Sequence, residues 1–367
     1  MKNNRLSLVI LYVLVSIVLI LPSIAGCAAS TAPAGTSAPA APATPAGQTY
    51  ELKYTLAARG IIGEEIPTAK QWMDDVEKAS NGKVKFKVLV GSTTDLDNYD
   101  AVVAGTGDFG HNLTAMSPGR FSIMDLMTIC DLDATCKGPA QVAYDLWKAF
   151  PQEIEKEFSD IKLVGVWAAA PNPMGLGFGT VDKPIRTLAD AKGVKMGMSS
   201  EFGMKTGMAL GMVPAPAPPP VIYEQLQKKI LDGSGMDPEM LDAFKLSEVI
   251  KYYHLVQLNF MPFWFGFNKQ SWAKLPADIQ KIILDEAAKI PGRADAYHTA
   301  AAKQAIDSAK AKYGLQIVEI DKAEMAKWKA LQDPVQKEYL DKLKKDKNID
   351  AQKIFDKLTE LYAKYDK

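Results

Sequence analysis

The sequence predicts an α/β protein of two lobes, and three observations predict it. Short apolar runs alternate with longer amphipathic stretches along most of the 367 residues. A Pro/Gly-rich segment, "AAAPNPMGLGFG" (168–179), carries the chain out of one strand–helix series and into a second. Two apolar runs near residues 249–267 then read as strands returning to the first series. Alternating strands and helices build a mainly parallel sheet. A chain that leaves one unit, builds another and returns makes a cleft with a hinge.

The elements follow in order. "YELKYTL" (50–56) alternates polar and apolar, as a half-buried strand does. Residues 64–80 repeat apolar positions at helical spacing (Ile66, Ala69, Met73, Val76) and stop before Asn81-Gly82. A strand over 84–90, a helix over 97–104 and a strand over 107–111 come next. A helix spans 141–158, and 161–167 is a continuous apolar strand. The second unit holds helices at 187–191, 202–210 and 221–229, with strands at 194–198 and 231–236. Long strands are expected at 249–258 and 261–267. From Pro276 onward the chain reads as helical, with Ile279, Ile282, Ile283 and Ala287 on one face.

The first residues stand apart from this fold. Lys2 and Arg5 precede an uncharged apolar run over 6–21, and "IAGC" ends at Cys27. The run is shorter than the about 20 residues a spanning helix needs, and small residues before a cleavage point mark a secretory signal peptide over 1–26. The cysteine resembles that of a bacterial lipobox, which implies cleavage before Cys27 and a lipid on its sulfur. An ordinary signal peptide or an uncleaved anchor is the other reading. Residues 28–48 are almost entirely Ala, Pro, Thr, Ser and Gly, too small and polar to form a core, and read as a tether from membrane to domain over 27–48. The expected location is extracytoplasmic, lipid-anchored to the cell membrane. Without Lys2 and Arg5 the 43 basic residues fall to 41 against 43 acidic ones, which offers nothing to hold nucleic acid. Beyond Cys27 only Cys130 and Cys136 remain. Secretion permits a disulfide between them, and two free thiols are the alternative. His111, His254 and His298 lie at no metal-ligand spacing from the cysteines, so neither metal nor cofactor is expected.

The motif search argues against an enzyme. Gly-x-Ser-x-Gly, a phosphate loop ending in Gly-Lys-Ser/Thr and His-Glu-x-x-His are all missing. Gly105, Gly107 and Gly110 match Gly-x-Gly-x-x-Gly, but they end a helix and open a strand, the reverse of a dinucleotide site. Asp95, Asp97 and Asp100 lack the calcium-loop pattern. Aromatic and sulfur side chains near strand ends are more informative, because open α/β sheets bind ligands beyond the carboxyl ends of their strands. Trp167, Phe178, Met198, Met236 and Trp264 are such residues. In "PFWFGF" Phe263 and Phe265 face one side and Trp264 the other.

A set of collinear blocks carries a resemblance. They are "KPIRTLADAKGVKM" (183–196), "LGMVP" (210–214), "YEQLQ" (223–227), "LDG" (231–233), "AFKLSEVIKYY" (243–253) and "FGFNKQSWAKLPADIQKIILDEA" (265–287), with "GDFGHNLTAMSPGRFSIMDL" (107–126) in the first unit. Together they resemble the DctP-type solute-binding proteins of tripartite ATP-independent periplasmic (TRAP) transporters. The resemblance implies a periplasmic-binding-protein-like fold with crossing strands and a long helix spanning both lobes, started by Pro276. Lobe I would comprise 49–174 and 263–302, and lobe II 175–262 and 303–367. It implies a small organic ligand that closes the cleft and a membrane permease as the docking partner. A sensor that presents its closed form to a membrane receptor is the alternative of another class.

The family anchors organic acids with arginine, whose planar fork pairs a carboxylate at two points. The strand position of that arginine is Gly197 here, the second arginine's is Gly177, and a frequent asparagine's is Met236. Two glycines and several methionines then predict a roomier, less polar site for a less acidic or larger ligand. Its apolar part would meet Trp167, Phe178, Met198, Met236 and Trp264 beside Gly197. His111, Asn112, Asn172 and Asp237 would supply polar contacts. In a second version Arg59 or Arg120 supplies the missing charge.

Overall fold

The computed structural model describes residues 47–57, 65–117, 119–129, 132, 137–169, 177–217, 219–257 and 260–365. The signal peptide, Cys27, most of the tether, Arg59, Cys130, Cys136 and Asn172 lie outside the described residues.

The first sheet is built from β1 (Tyr50–Ala57), α1 (Glu65–Ala79), β2 (Val84–Thr93), α2 (Asn98–Ala104), β3 (Phe109–Leu113), α3 (Pro139–Ala149), α4 (Pro151–Glu157) and β4 (Ile161–Ala169). The expected helix over 141–158 is thus two, because Pro151 has no N–H to continue the ladder and instead opens α4. The second series contains β5 (Gly177–Thr180), α5 (Leu188–Ala191), β6 (Lys195–Met198), α6 (Glu201–Ala209), β7 (Val213–Pro216), α7 (Pro219–Gln227), β8 (Gly233–Met236), α8 (Met240–Ala243) and β9 (Tyr252–His254). The chain then returns through β10 (Met261–Asn268), α9 (Lys269–Ala273), α10 (Ala277–Ala287), α11 (Ile290–Tyr313), β11 (Gln316–Val318), α12 (Lys322–Lys347) and α13 (Ala351–Tyr365).

The strands form two mixed sheets, ordered β2-β1-β3-β10-β4 and β11-β9-β5-β8-β6-β7. β10 crosses back and runs antiparallel between β3 and β4. Only β10 returns. The run expected as a long strand over 249–258 contributes the three residues of β9, which pair with β5 and β11 in the second sheet.

Local chemistry sets the element ends. Gly105 closes α2 at φ +76°, its N–H reaching Ala101 and Val102 carbonyls. Thr187 and Asp190 form a reciprocal capping box on α5. Asn268 caps α9 by accepting from Gln270 and Ser271 N–H, and its amide donates to the Val102 and Val103 carbonyls, fastening the end of β10 to α2. Gly233 opens β8, two residues into the stretch expected as a strand; a Cβ there would lie 2.5 Å from the Gly179 carbonyl oxygen.

Alternation along β10 divides the core of lobe I. Phe263, Phe265 and Phe267 join Trp72, Phe109 and Trp167 on the face covered by α1, α10 and the start of α11. Trp264 points the other way, edge-on to Tyr99 at 5.1 Å, into the core closed by α3, α12 and α13. The spanning helix is α11, which starts at Ile290 with Pro291 in its first turn rather than at Pro276. Asp295 on α11 accepts from the Ala140 and Gln141 N–H groups that open α3 (2.9 and 3.2 Å), and His298, one turn on, meets Glu239 of lobe II at 3.0 Å. α12 lies across the opposite side. Lys342 pairs with Glu201 at the start of α6, and Lys347 donates to the Gly119 carbonyl and the Ser122 hydroxyl of lobe I.

Candidate functional site between the two sheets

Each sheet presents a rim of strand ends. In lobe I it runs through Thr93, Ala57, Leu113, Met261 and Ala169, from the pairings Ala57–Thr93, Leu113–Phe263 and Met261–Ala169. In lobe II, β6 and β8 run parallel with Gly197 opposite Ser234, and β5 begins at Gly177 opposite Met236. Gly177, Met198 and Met236 therefore share one rim, where an open sheet binds its ligand.

The two anchor-position glycines are close-packed rather than open. A Cβ on Gly177 would lie 2.1 Å from the His254 carbonyl oxygen and 3.0 Å from the Tyr253 ring. The Tyr253 hydroxyl accepts from Gly177 N–H (3.0 Å) and donates to the Met236 carbonyl (2.9 Å). Tyr253 is fully buried, and burial holds its phenol well above the usual range. A Cβ on Gly197 would meet Ala217 at 2.7 Å and Leu231 and Ser234 at 2.9 Å each. The bulk that an arginine would occupy has been returned by neighbours distant in sequence. Tyr253→Phe leaves the Gly177 N–H and the Met236 carbonyl without this partner, which costs roughly 1–3 kcal/mol in a buried site. Urea unfolding of the variant is expected to show that loss with an unchanged m-value.

The other expected contact residues fall on different faces, and all of those described except Arg120 are buried. His111 Nδ1 bonds the Tyr54 hydroxyl at 2.7 Å, and burial lowers the imidazole pKa to about 3, so it is neutral. Its ring lies 5.5 Å from that of Trp167, which stacks on Phe263 at 5.2 Å. Asn112 on β3 is committed to backbone groups, donating to the Asp95 carbonyl of the β2–α2 connection and accepting from Leu113 N–H. Phe178 stacks on His254 at 4.1 Å and, with Met198, joins the core beneath α12. Met236 packs on the α8 and α11 side, and Trp264 lies behind the first sheet. Arg120 pairs with Asp100 at 3.0 Å and stacks over Tyr99. Asp237, 2% exposed, accepts from Met240 N–H in α8 through Oδ1, while its Oδ2 has no hydrogen-bond partner among the described residues. Burial and Glu239 raise its pKa to about 7.

Beyond these rims an open cavity of about 240 Å³ lies between the lobes. Ser122 and Asp125 of lobe I form one wall, and Ser199 through Phe202, just past β6, form another. Tyr339, Lys342, Asp346 and Lys347 of α12 complete it. The sequence reading did not single out these residues. Ser199 and Ser200 were accessible to it, since they directly follow the carboxyl end of β6; the α12 side chains arrive only through tertiary packing. Burial raises Asp125 to about 7 and Glu157, directly behind it, to about 7. Glu157 accepts from the Ile123 and Met124 N–H groups that open the turn carrying Asp125.

That pair predicts a pH effect. A carboxyl whose folded pKa exceeds its unfolded one binds its proton preferentially in the folded state. Stability contributed by that proton is full below the unfolded value of 4.5, falls as pH rises above it and is gone above the folded value of about 7. Buried neutral His111 and His254 act in the opposite direction below about 6.5, so only a difference measurement isolates Glu157. The melting temperature of Glu157→Gln relative to wild type is expected to rise from pH 5 to pH 8; a flat difference contradicts the raised carboxyl.

The model of the DctP family, bacterial extracellular solute-binding protein family 7, matches residues 64–343. The chain belongs to this family. The C4-dicarboxylate-binding periplasmic protein DctP of Rhodobacter capsulatus is 24% identical over 186 residues, 50% of this chain and 56% of that one. Among solved structures, a marine-metagenome TRAP solute-binding protein specific for aromatic acids, in complex with 3-hydroxybenzoate, superposes with a TM-score of 0.76 at 23% identity. It covers 88% of this chain and 100% of its own. A TRAP periplasmic solute-binding protein from Desulfovibrio salexigens gives 0.74 at 26% identity over 86% and 96%. The two-lobed α/β architecture of this DctP protein is that of TRAP solute-binding proteins, a family and fold of transport rather than catalysis.

Proposed function

We propose that this protein captures a small organic molecule between its lobes outside the cytoplasm and delivers it to a TRAP-type membrane permease. Cys27 would carry the lipid that holds it at the membrane. The lobes divide near residues 174/175 and 262/263, with α13 joining lobe I, on whose α3 it packs. Ligand would draw lobe II toward lobe I across α11 and α12, the two helices bonded to both, and the closed form would dock on the permease.

The observation that carries the reading is the cavity lined from both lobes. A 150 Å³ apolar cavity holds benzene, so about 240 Å³ suits a one-ring molecule and favours a small ligand over a large one. The related proteins bind C4-dicarboxylates and 3-hydroxybenzoate. Here the arginine positions hold close-packed glycines, Arg120 is paired with Asp100, and the rim's buried polar side chain is an acid, Asp237. This favours a ligand less acidic than the relatives' carboxylates. Native mass spectrometry of the purified chain is expected to show a co-purified small molecule in that size class. Its absence, together with no response to any organic solute in a thermal-shift panel, refutes the binding role.

A further inference from the structure

We propose that the group held on the α12 side of this cleft is a protonated amine, with the Asp125 carboxylate as its partner. The inference rests on the solute-binding reading and specifies its ligand class. Three carboxylates (Asp125, Glu201, Asp346) line the cavity against two ammonium groups (Lys342, Lys347), and Glu157 adds a fourth acid behind Asp125. Lys342 is engaged by Glu201 at 2.9 Å. Lys347 donates to the Gly119 carbonyl and the Ser122 hydroxyl.

Asp125 is the under-served member. Among the described residues its side chain accepts one hydrogen bond, from the Thr114 hydroxyl at 3.3 Å, long for an O–H donor. The carboxylate is half-buried on the cavity wall and partly desolvated, and an ammonium would supply it with both a donor and a counter-charge. The ring of Tyr339 beside it gives a face that cations favour. At the neighbouring strand end Asp237 repeats the theme, a buried acid whose Oδ2 has no hydrogen-bond partner among the described residues. A carboxylate ligand would meet this acidic lining without a forked cation to receive it. Such a site selects by repulsion as well as by attraction.

The test is calorimetric titration of the full chain at pH 8 with matched one-ring pairs, benzylamine with benzoate and phenethylamine with phenylacetate. The amine of at least one pair should bind more tightly than its acid. Asp125→Asn, which keeps an acceptor for Thr114, should weaken that amine by roughly tenfold to a hundredfold, the effect of a hydrogen bond to a charged group. On the wild-type chain, amine affinity should fall from pH 8 to pH 6 as Asp125 takes up its proton. Glu157, Glu201, Tyr339 and Lys347 face it, and Glu157 takes up its own proton in the same range. Tighter binding of the acids overturns the amine assignment and leaves the solute-binding reading standing. An amine response unchanged by Asp125→Asn and by pH overturns it too, as does amine silence. Silence of both series, with no co-purified mass, removes the solute-binding reading as well.

Discussion

Gly177→Ala is expected to destabilise the protein by roughly 3 kcal/mol or more, at the upper end of overpacking substitutions. The reason is the identity of the obstructing atom. The new Cβ would lie 2.1 Å from the backbone carbonyl oxygen of His254, which cannot rotate away as a side chain can. Moving β5 off β9 would also stretch the Gly177–Tyr253–Met236 bridge. Gly179→Ala is the internal comparison. Its Cβ would meet Ile250 side-chain atoms at 2.8–3.2 Å, which have rotamer freedom, so it should cost less. Chemical unfolding of the two variants in parallel checks this. Equal stability of Gly177→Ala and wild type would mean that the rim is looser than described.

Gly197→Arg is expected to be as damaging and to gain nothing in return. It places an arginine at the strand position where the resemblance to the family leads one to expect a carboxylate anchor. Ala217, Leu231 and Ser234 fill the space its first carbon needs. The strand is buried on β6 from Met196 to Met198, so the guanidinium would have to leave through packed side chains or remain buried without a partner, a loss of several kcal/mol. Thermal melts should show the loss, and succinate should bind no better than to wild type. A stable variant that acquires succinate binding would sink the idea that neighbours have closed this position.

Much of the architecture was legible because it rests on local periodicity. β1, α1, β6 and α6 stand where their patterns placed them, and the alternation of Phe263, Trp264 and Phe265 assigned them to opposite faces of β10. The errors have local causes as well. Apolar residues over 249–258 read as one strand, but only Tyr252–His254 pair as β9, while Val249, Ile250, Leu255 and Val256 pack from the irregular segments on either side. Pro276 ends as the residue before α10, and the spanning helix takes its proline from Pro291 instead.

The candidate site was harder to read, and Gly177 and Gly197 show why. A glycine in place of arginine announces lost charge, and that inference needs only the sequence. Whether it also announces room depends on what lies opposite. Tyr253 comes from 76 positions away and Ser234 from 37. No pattern within β5 or β6 carries that information. Asp125, Lys342 and Lys347 reach one cavity only because α12 crosses both lobes, a matter of tertiary packing rather than spacing.

The cleft is proposed to bind a small organic solute with glycine, not arginine, at positions 177 and 197. Equilibrium titration of the purified chain with succinate beside uncharged and amine-bearing one-ring compounds distinguishes this from carboxylate capture. Binding is expected within the uncharged or amine-bearing set and none for succinate. Tight succinate binding, with no response to the others, would contradict it.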